Sequence, residues 1–140
     1  SEMARAKHRQ LPFDKRGARI VLGVRMLKSE AYLSLSPQAK VLMVLMQIHW
    51  RNDKYVDYGI REAAEKIPCD RRTAMKAFKQ LEERGFISCQ NEFFFSSRTE
   101  SRTRGWRLEW LPFNGNKPIN TWEKWSVDEQ INRCKNDTVG

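Results

Sequence analysis

The apolar residues of this chain recur with a changing period, and each change marks an element. Over residues 19–26, Ile20, Leu22, Val24 and Met26 fall at every second position, the spacing of a half-buried strand or extended segment. Ser29 is placed to cap a short helical turn through Leu33. Ser36-Pro37 predicts the start of a longer helix, with an N-cap serine followed by proline at the first helical position. That helix extends to about Trp50 and is apolar nearly all round. Val41, Leu45 and Ile48 line one face, Leu42, Met46 and His49 lie beside it, and Met43 and Trp50 carry the apolar surface further. Such a helix must be covered on most sides. It is either the centre of the domain or in part the contact with a second subunit.

Beyond it, Asn52-Asp53 makes a turn and residues 55–58 a short strand. A second helix begins near Gly59 or Ile60, with Ile60, Ala63, Ala64 and Ile67 on one stripe, and Pro68 ends it. Asp70 caps a third helix over residues 71–84, with Ala74, Ala77, Phe78 and Leu81 as its inward stripe. Gly85 is the residue expected just past its C-terminus. A strand over residues 86–89, a turn at Gln90-Asn91 and a return strand over residues 92–96 follow. Residues 98–105 read as a polar, basic loop. Trp106, Leu108 and Trp110 then alternate with Arg107 and Glu109 as a third strand with one aromatic face. Asn114-Gly115-Asn116 and Pro118 are turn residues, residues 121–125 a short helix, and the last dozen residues a frayed polar end.

At 140 residues the chain is sized for one domain with a real core. It divides into a basic arm (1–17), a central domain (18–112) and a C-terminal extension (113–140). No apolar run approaches the roughly 18–20 residues that cross a bilayer. The three cysteines, Cys69, Cys89 and Cys134, have neither the number of a disulfide framework nor the spacing of a zinc site. Together these features predict a cytoplasmic protein with reduced thiols, no metal and no membrane partner. Lysine and arginine total 26 against 17 acidic residues, a net charge of +9, which favours a polyanionic partner and above all nucleic acid.

Residues 58–87 give that charge a place to act. Two helices joined by a three-residue turn, Ile67-Pro68-Cys69, then a Gly-Phe-Ile exit into a hairpin, are the element order of an α+β winged helix-turn-helix. The first helix fixes the angle of the second, which can then lie in a major groove. The N-terminal part of the third helix presents Arg71, Arg72, Thr73 and Lys76, while Glu82 and Glu83 sit at its other end. Arginine can bridge guanine O6 and N7, and threonine can touch a thymine methyl. Lys79 and Gln80 on the same helix, and Arg61 at the start of the second helix, complete the set expected to contact DNA. Arg98, Arg102 and Arg104 would supply backbone or minor-groove contacts from the wing. Arg5, Lys7 and Arg9 in the arm either lie along phosphates or belong to a solvated tail.

Three segments carry a resemblance: Arg61-Glu62-Ala63-Ala64, Asp70-Arg71-Arg72-Thr73-Ala74, and Phe78-x-x-Leu81-Glu82-Glu83-Arg84-Gly85-Phe86-Ile87. They resemble the winged helix-turn-helix domains of bacterial regulators. More narrowly, the chain is similar to small helix-turn-helix and replication-type winged-helix proteins of phages, plasmids and integrated elements. Leu35-Ser36-Pro37-x-Ala39, Trp106-Arg107-Leu108-x-Trp110-Leu111-Pro112 and Asn120-Thr121-Trp122-x-x-Trp125 extend the likeness over roughly residues 24–125. The chain departs from that pattern at Gly59, where a serine cap is usual, and at Pro68-Cys69, where a glycine turn is usual. The resemblance implies a sequence-specific double-stranded DNA-binding protein, a transcriptional regulator of a mobile element. An origin-binding replication initiator and a winged-helix protein–protein interaction module are the alternatives. No phosphate loop, metal spacing or His–carboxylate constellation points to an enzyme, a cofactor or a small-molecule ligand. One such domain reads few base pairs, so a homodimer or adjacent copies on DNA are expected. Trp122 and Trp125 are expected to fold back over Met43, Met46 and Trp50; otherwise that apolar surface would pair two copies.

Overall fold

Local signals set the helix starts. In the computed structural model, which describes residues 14, 16–94 and 102–127, Gly23 is extended and begins a single turn, α1 (Val24–Leu27), closed by the Leu27 amide on the Gly23 carbonyl at 3.1 Å. Of the strand or extended segment expected over residues 19–26, no strand forms: residues 19–23 have no regular structure and the helical turn takes residues 24–26. Of the alternating apolar residues, Met26 is buried and Leu22 packs against the core, while Ile20 and Val24 are exposed, so the alternation does not mark one pleated face. Ser29 Oγ accepts from the Tyr32 amide and starts α2 (Glu30–Leu33). Ser36 Oγ accepts from the Ala39 amide and starts α3 (Pro37–Ile48).

The face that α3 turns inward differs from the expected one. Ala39, Leu42, Met43, Met46 and Gln47 are buried, whereas Val41 and Ile48 face solvent at 43% and 60% exposure. The buried set includes a polar residue because its amide is satisfied on both sides. Gln47 Nε2 donates to the Val21 carbonyl at 2.7 Å, and Gln47 Oε1 accepts from Trp110 Nε1 at 3.0 Å.

A two-residue strand, β1 (Val56–Asp57), leads into α4 (Ile60–Lys66) and α5 (Arg71–Glu83). The chain then reverses at Gly85 into a long hairpin, β2 (Ile87–Phe94) and β3 (Arg102–Leu108). The sheet is antiparallel in the order β1–β3–β2, with Val56 opposite Trp106, Ile87 opposite Leu108 and Phe94 opposite Arg102.

Two expectations fail in this hairpin. No turn forms at Gln90-Asn91, and residues 92–94 continue β2 instead of starting a return strand. The register passes from Cys89–Trp106 to Asn91–Gly105, so Gln90 is the extra residue of a β-bulge. A tight two-residue reversal favours positive φ and hence glycine, which Asn91-Glu92 lacks. Arg102 and Arg104 accordingly belong to β3 and not to a loop.

The core lies between the helices and one face of the sheet. Leu42, Met43 and Met46 of α3, Ala74, Ala77, Phe78 and Leu81 of α5, and Val56, Phe86, Ile87, Trp106 and Leu108 of the sheet side are all buried. Each large side chain so buried contributes roughly 1.5–3 kcal/mol. The C-terminal segment folds back onto this unit. Trp122, in a 3-10 turn over Thr121–Lys124, stacks on Phe86 at 6.1 Å between ring centres. Arg25 lies over Trp122 and pairs with Glu123, and the Val127 amide donates to Glu30. Trp122 joins the same buried core as Met43 and Met46, and Trp50 and Trp125 pack against it. Beside this, Trp110 reaches Gln47, and Trp50 Nε1 donates to the Pro112 carbonyl at 3.2 Å.

Candidate nucleic-acid interface

Helices α4 and α5 are held at a fixed angle by the turn between them. Gly59 starts α4 with no side-chain cap, its carbonyl accepting from the Ala63 amide at 3.0 Å. At the other end the Ile67 amide reaches Ala63 and the Cys69 amide reaches Ala64 at 2.8 Å. Pro68, which has no amide to satisfy, fits between them. Asp70 then caps α5, its Oδ1 accepting from the Thr73 amide at 2.7 Å.

Aromatic contacts fix this pair on the sheet. Phe78, at mid-helix, stacks on Trp106 at 5.4 Å and meets Tyr58 at 6.4 Å. Trp106 Nε1 donates to the Tyr58 carbonyl at 3.2 Å. The middle of α5, the entry to α4 and the middle of β3 therefore form one rigid junction. The far end of α5 is bolted to the α2–α3 connection. Gln80 Oε1 accepts from the Ser36 amide at 2.9 Å, and Arg84 Nε donates to Ser34 Oγ at 2.8 Å while its guanidinium lies over Trp125.

With its inward stripe so engaged, α5 turns a contrasting face to solvent. Arg71, Arg72, Lys76 and Lys79 are exposed, and Arg61 is exposed near the start of α4. Among the described residues the ion pairs are Asp14–Arg16, Arg25–Glu123 and His49–Glu62, so none of these five cations is neutralised by a carboxylate within 4 Å. The charge is graded along the helix, from Arg71 and Arg72 at its start to Glu82 and Glu83 at its end. Hydrogen bonding from Thr73 lowers the Asp70 pKa, and the positive charges of Arg72 and Lys76 act in the same direction.

Of the residues read from the sequence as contacts, Arg71, Arg72, Lys76 and Lys79 thus share one open surface. Thr73 is half-buried and engaged with Asp70, and Gln80 is half-buried against Ser36. Arg102 and Arg104 lie in β3 four and two residues before Trp106. Arg98, expected in the wing, and Arg5, Lys7 and Arg9, expected in the arm, lie outside the described residues, as does Cys134.

One residue on the open face went unread in the sequence. Met75 is 54% exposed and lies three residues after Arg72 and four before Lys79. Helical spacing carries the signal, since position 75 falls off the Ala74–Phe78–Leu81 stripe and among the cations.

Compared with known proteins, the chain matches no family model, no curated protein and no solved structure. No helix among the described residues is long and apolar enough to cross a membrane, and no group of three or more metal-ligating side chains gathers there.

Proposed function

We propose that this chain is a sequence-specific double-stranded DNA-binding protein built as a winged helix-turn-helix. In that reading α5 is the recognition helix and the β2–β3 hairpin the wing. The observation that carries it is the outward face of α5, where Arg72, Lys76 and Lys79 lie along one exposed stripe with no carboxylate among the described residues paired to them. A helix with its side chains is about 10–12 Å across, which suits the roughly 12 Å major groove of B-DNA and not the deep, narrow major groove of RNA. The order α3–β1–α4–α5–β2–β3, with β1 added to the edge of the hairpin, supports the same assignment.

The resemblance of residues 61–64, 70–74 and 78–87 to the winged helix-turn-helix domains of bacterial regulators, and more narrowly to small helix-turn-helix and replication-type winged-helix proteins of phages, plasmids and integrated elements, supports the role of a transcriptional regulator, binding as a homodimer or as adjacent copies. Selection of bound sequences from a random duplex pool tests the reading. An enriched site is expected, with an inverted repeat for a two-fold dimer or direct repeats for adjacent copies. A pool that stays random after repeated rounds would contradict sequence-specific binding.

A further inference from the structure

Met75 is the one exposed large hydrophobic residue of α5, on a helix whose other outward positions are charged. The helix does not need it for packing, since Ala74, Ala77, Phe78 and Leu81 fill the inward stripe. A single thioether is also far smaller than the apolar patches that hold protein partners. Its neighbours on the helix surface are Arg71 and Arg72 on one side and Lys79 on the other. Any polyanion drawn onto those cations is brought against the Met75 side chain.

In a major groove the apolar feature available to such a side chain is the thymine 5-methyl group. An unbranched, polarisable side chain with three rotatable bonds can follow that methyl while the flanking arginines engage phosphates or guanine. Resting on the DNA-binding reading above, we propose that Met75 is a specificity-determining residue that reads the methyl group of a thymine by apolar contact.

The test uses the full chain and its selected duplex. Each thymine of the site is replaced in turn by deoxyuracil, which removes the methyl group and leaves the base-pairing edge intact. The wild-type protein should lose about three- to fivefold in affinity at one thymine per bound copy, the factor for withdrawing one methyl from apolar contact. The Met75→Ala protein should show no such loss at that position, and Met75→Leu should keep most of it. Both variants should melt with the wild type, because the side chain is exposed. Equal losses in wild type and Met75→Ala, no thymine that responds, or an enriched site without thymine would each overturn the assignment while leaving DNA binding intact. Failure to enrich any site would instead overturn the DNA-binding reading, and this assignment with it.

Discussion

Gly85 meets two demands at once. Its φ of +81° is left-handed, and a Cβ built there would lie 2.9 Å from both backbone and side-chain atoms of Thr121. The left-handed conformation alone costs an L-residue about 1–2 kcal/mol, and the Thr121 backbone cannot swing aside. Gly85→Ala is therefore expected to destabilise the protein by more than about 2 kcal/mol. The urea midpoint measures this, and an unmoved midpoint would mean that Thr121 does not press on the turn. Asp70 gives a pH-dependent counterpart. Its pKa is lowered in the folded state, so its stabilisation is complete above the ordinary value of 3.8 and is lost as the pH falls through the lowered one. Asp70→Asn retains an oxygen for the Thr73 amide but does not titrate. The advantage of wild type over Asp70→Asn should be present at neutral pH and shrink below about pH 4. A difference constant from pH 7 to pH 2 would contradict the charge-assisted cap. Both residues were legible in the sequence because a cap and a left-handed turn each depend on one residue type at one position.

Elements were legible where their chemistry is local and obscure where a distant partner decides. Helices α3, α4 and α5 begin and end close to their sequence signals, and α5 buries the stripe read from its spacing. The inward face of α3 was not legible, since a helix apolar nearly all round has no unique stripe. The Trp110–Gln47–Val21 hydrogen bonds, made across distant segments, accompany the side that turns inward. The length of β2 is not legible because three consecutive phenylalanines hide the alternation that would carry the strand past Gln90. The longer hairpin moves Arg102 and Arg104 onto a strand without removing them from the expected contacts. Changing Arg98, Arg102 and Arg104 together to alanine should weaken binding to every duplex and reduce the log–log salt slope by about 0.9 per lost phosphate contact. An unchanged slope would remove the hairpin from the interface. The C-terminal segment is tested by Trp122→Ala, which should cost about 3–5 kcal/mol in a denaturant titration. A much smaller cost would mean that the contact with Phe86 is not part of the stable fold.

Over the whole molecule, a net charge of +9 draws the chain toward any polyanion, and composition alone cannot say where it would touch. The fold answers by holding α5 at three places, namely Asp70 at its start, Phe78 against Trp106 at its middle, and Gln80 with Arg84 at its end. What remains open is a stripe of exposed cations on a helix so held, the surface to which the DNA-binding proposal assigns base contacts. The proposal that this stripe reads bases is tested most directly at Arg72. Affinities of wild type and Arg72→Ala should be compared on the selected duplex and on a scrambled duplex of the same length at the same salt. The account predicts a loss of about 1–3 kcal/mol on the selected duplex, a much smaller loss on the scrambled one, and an unchanged melting temperature. Equal losses on the two duplexes would show that Arg72 touches only phosphate and would contradict base reading by this helix.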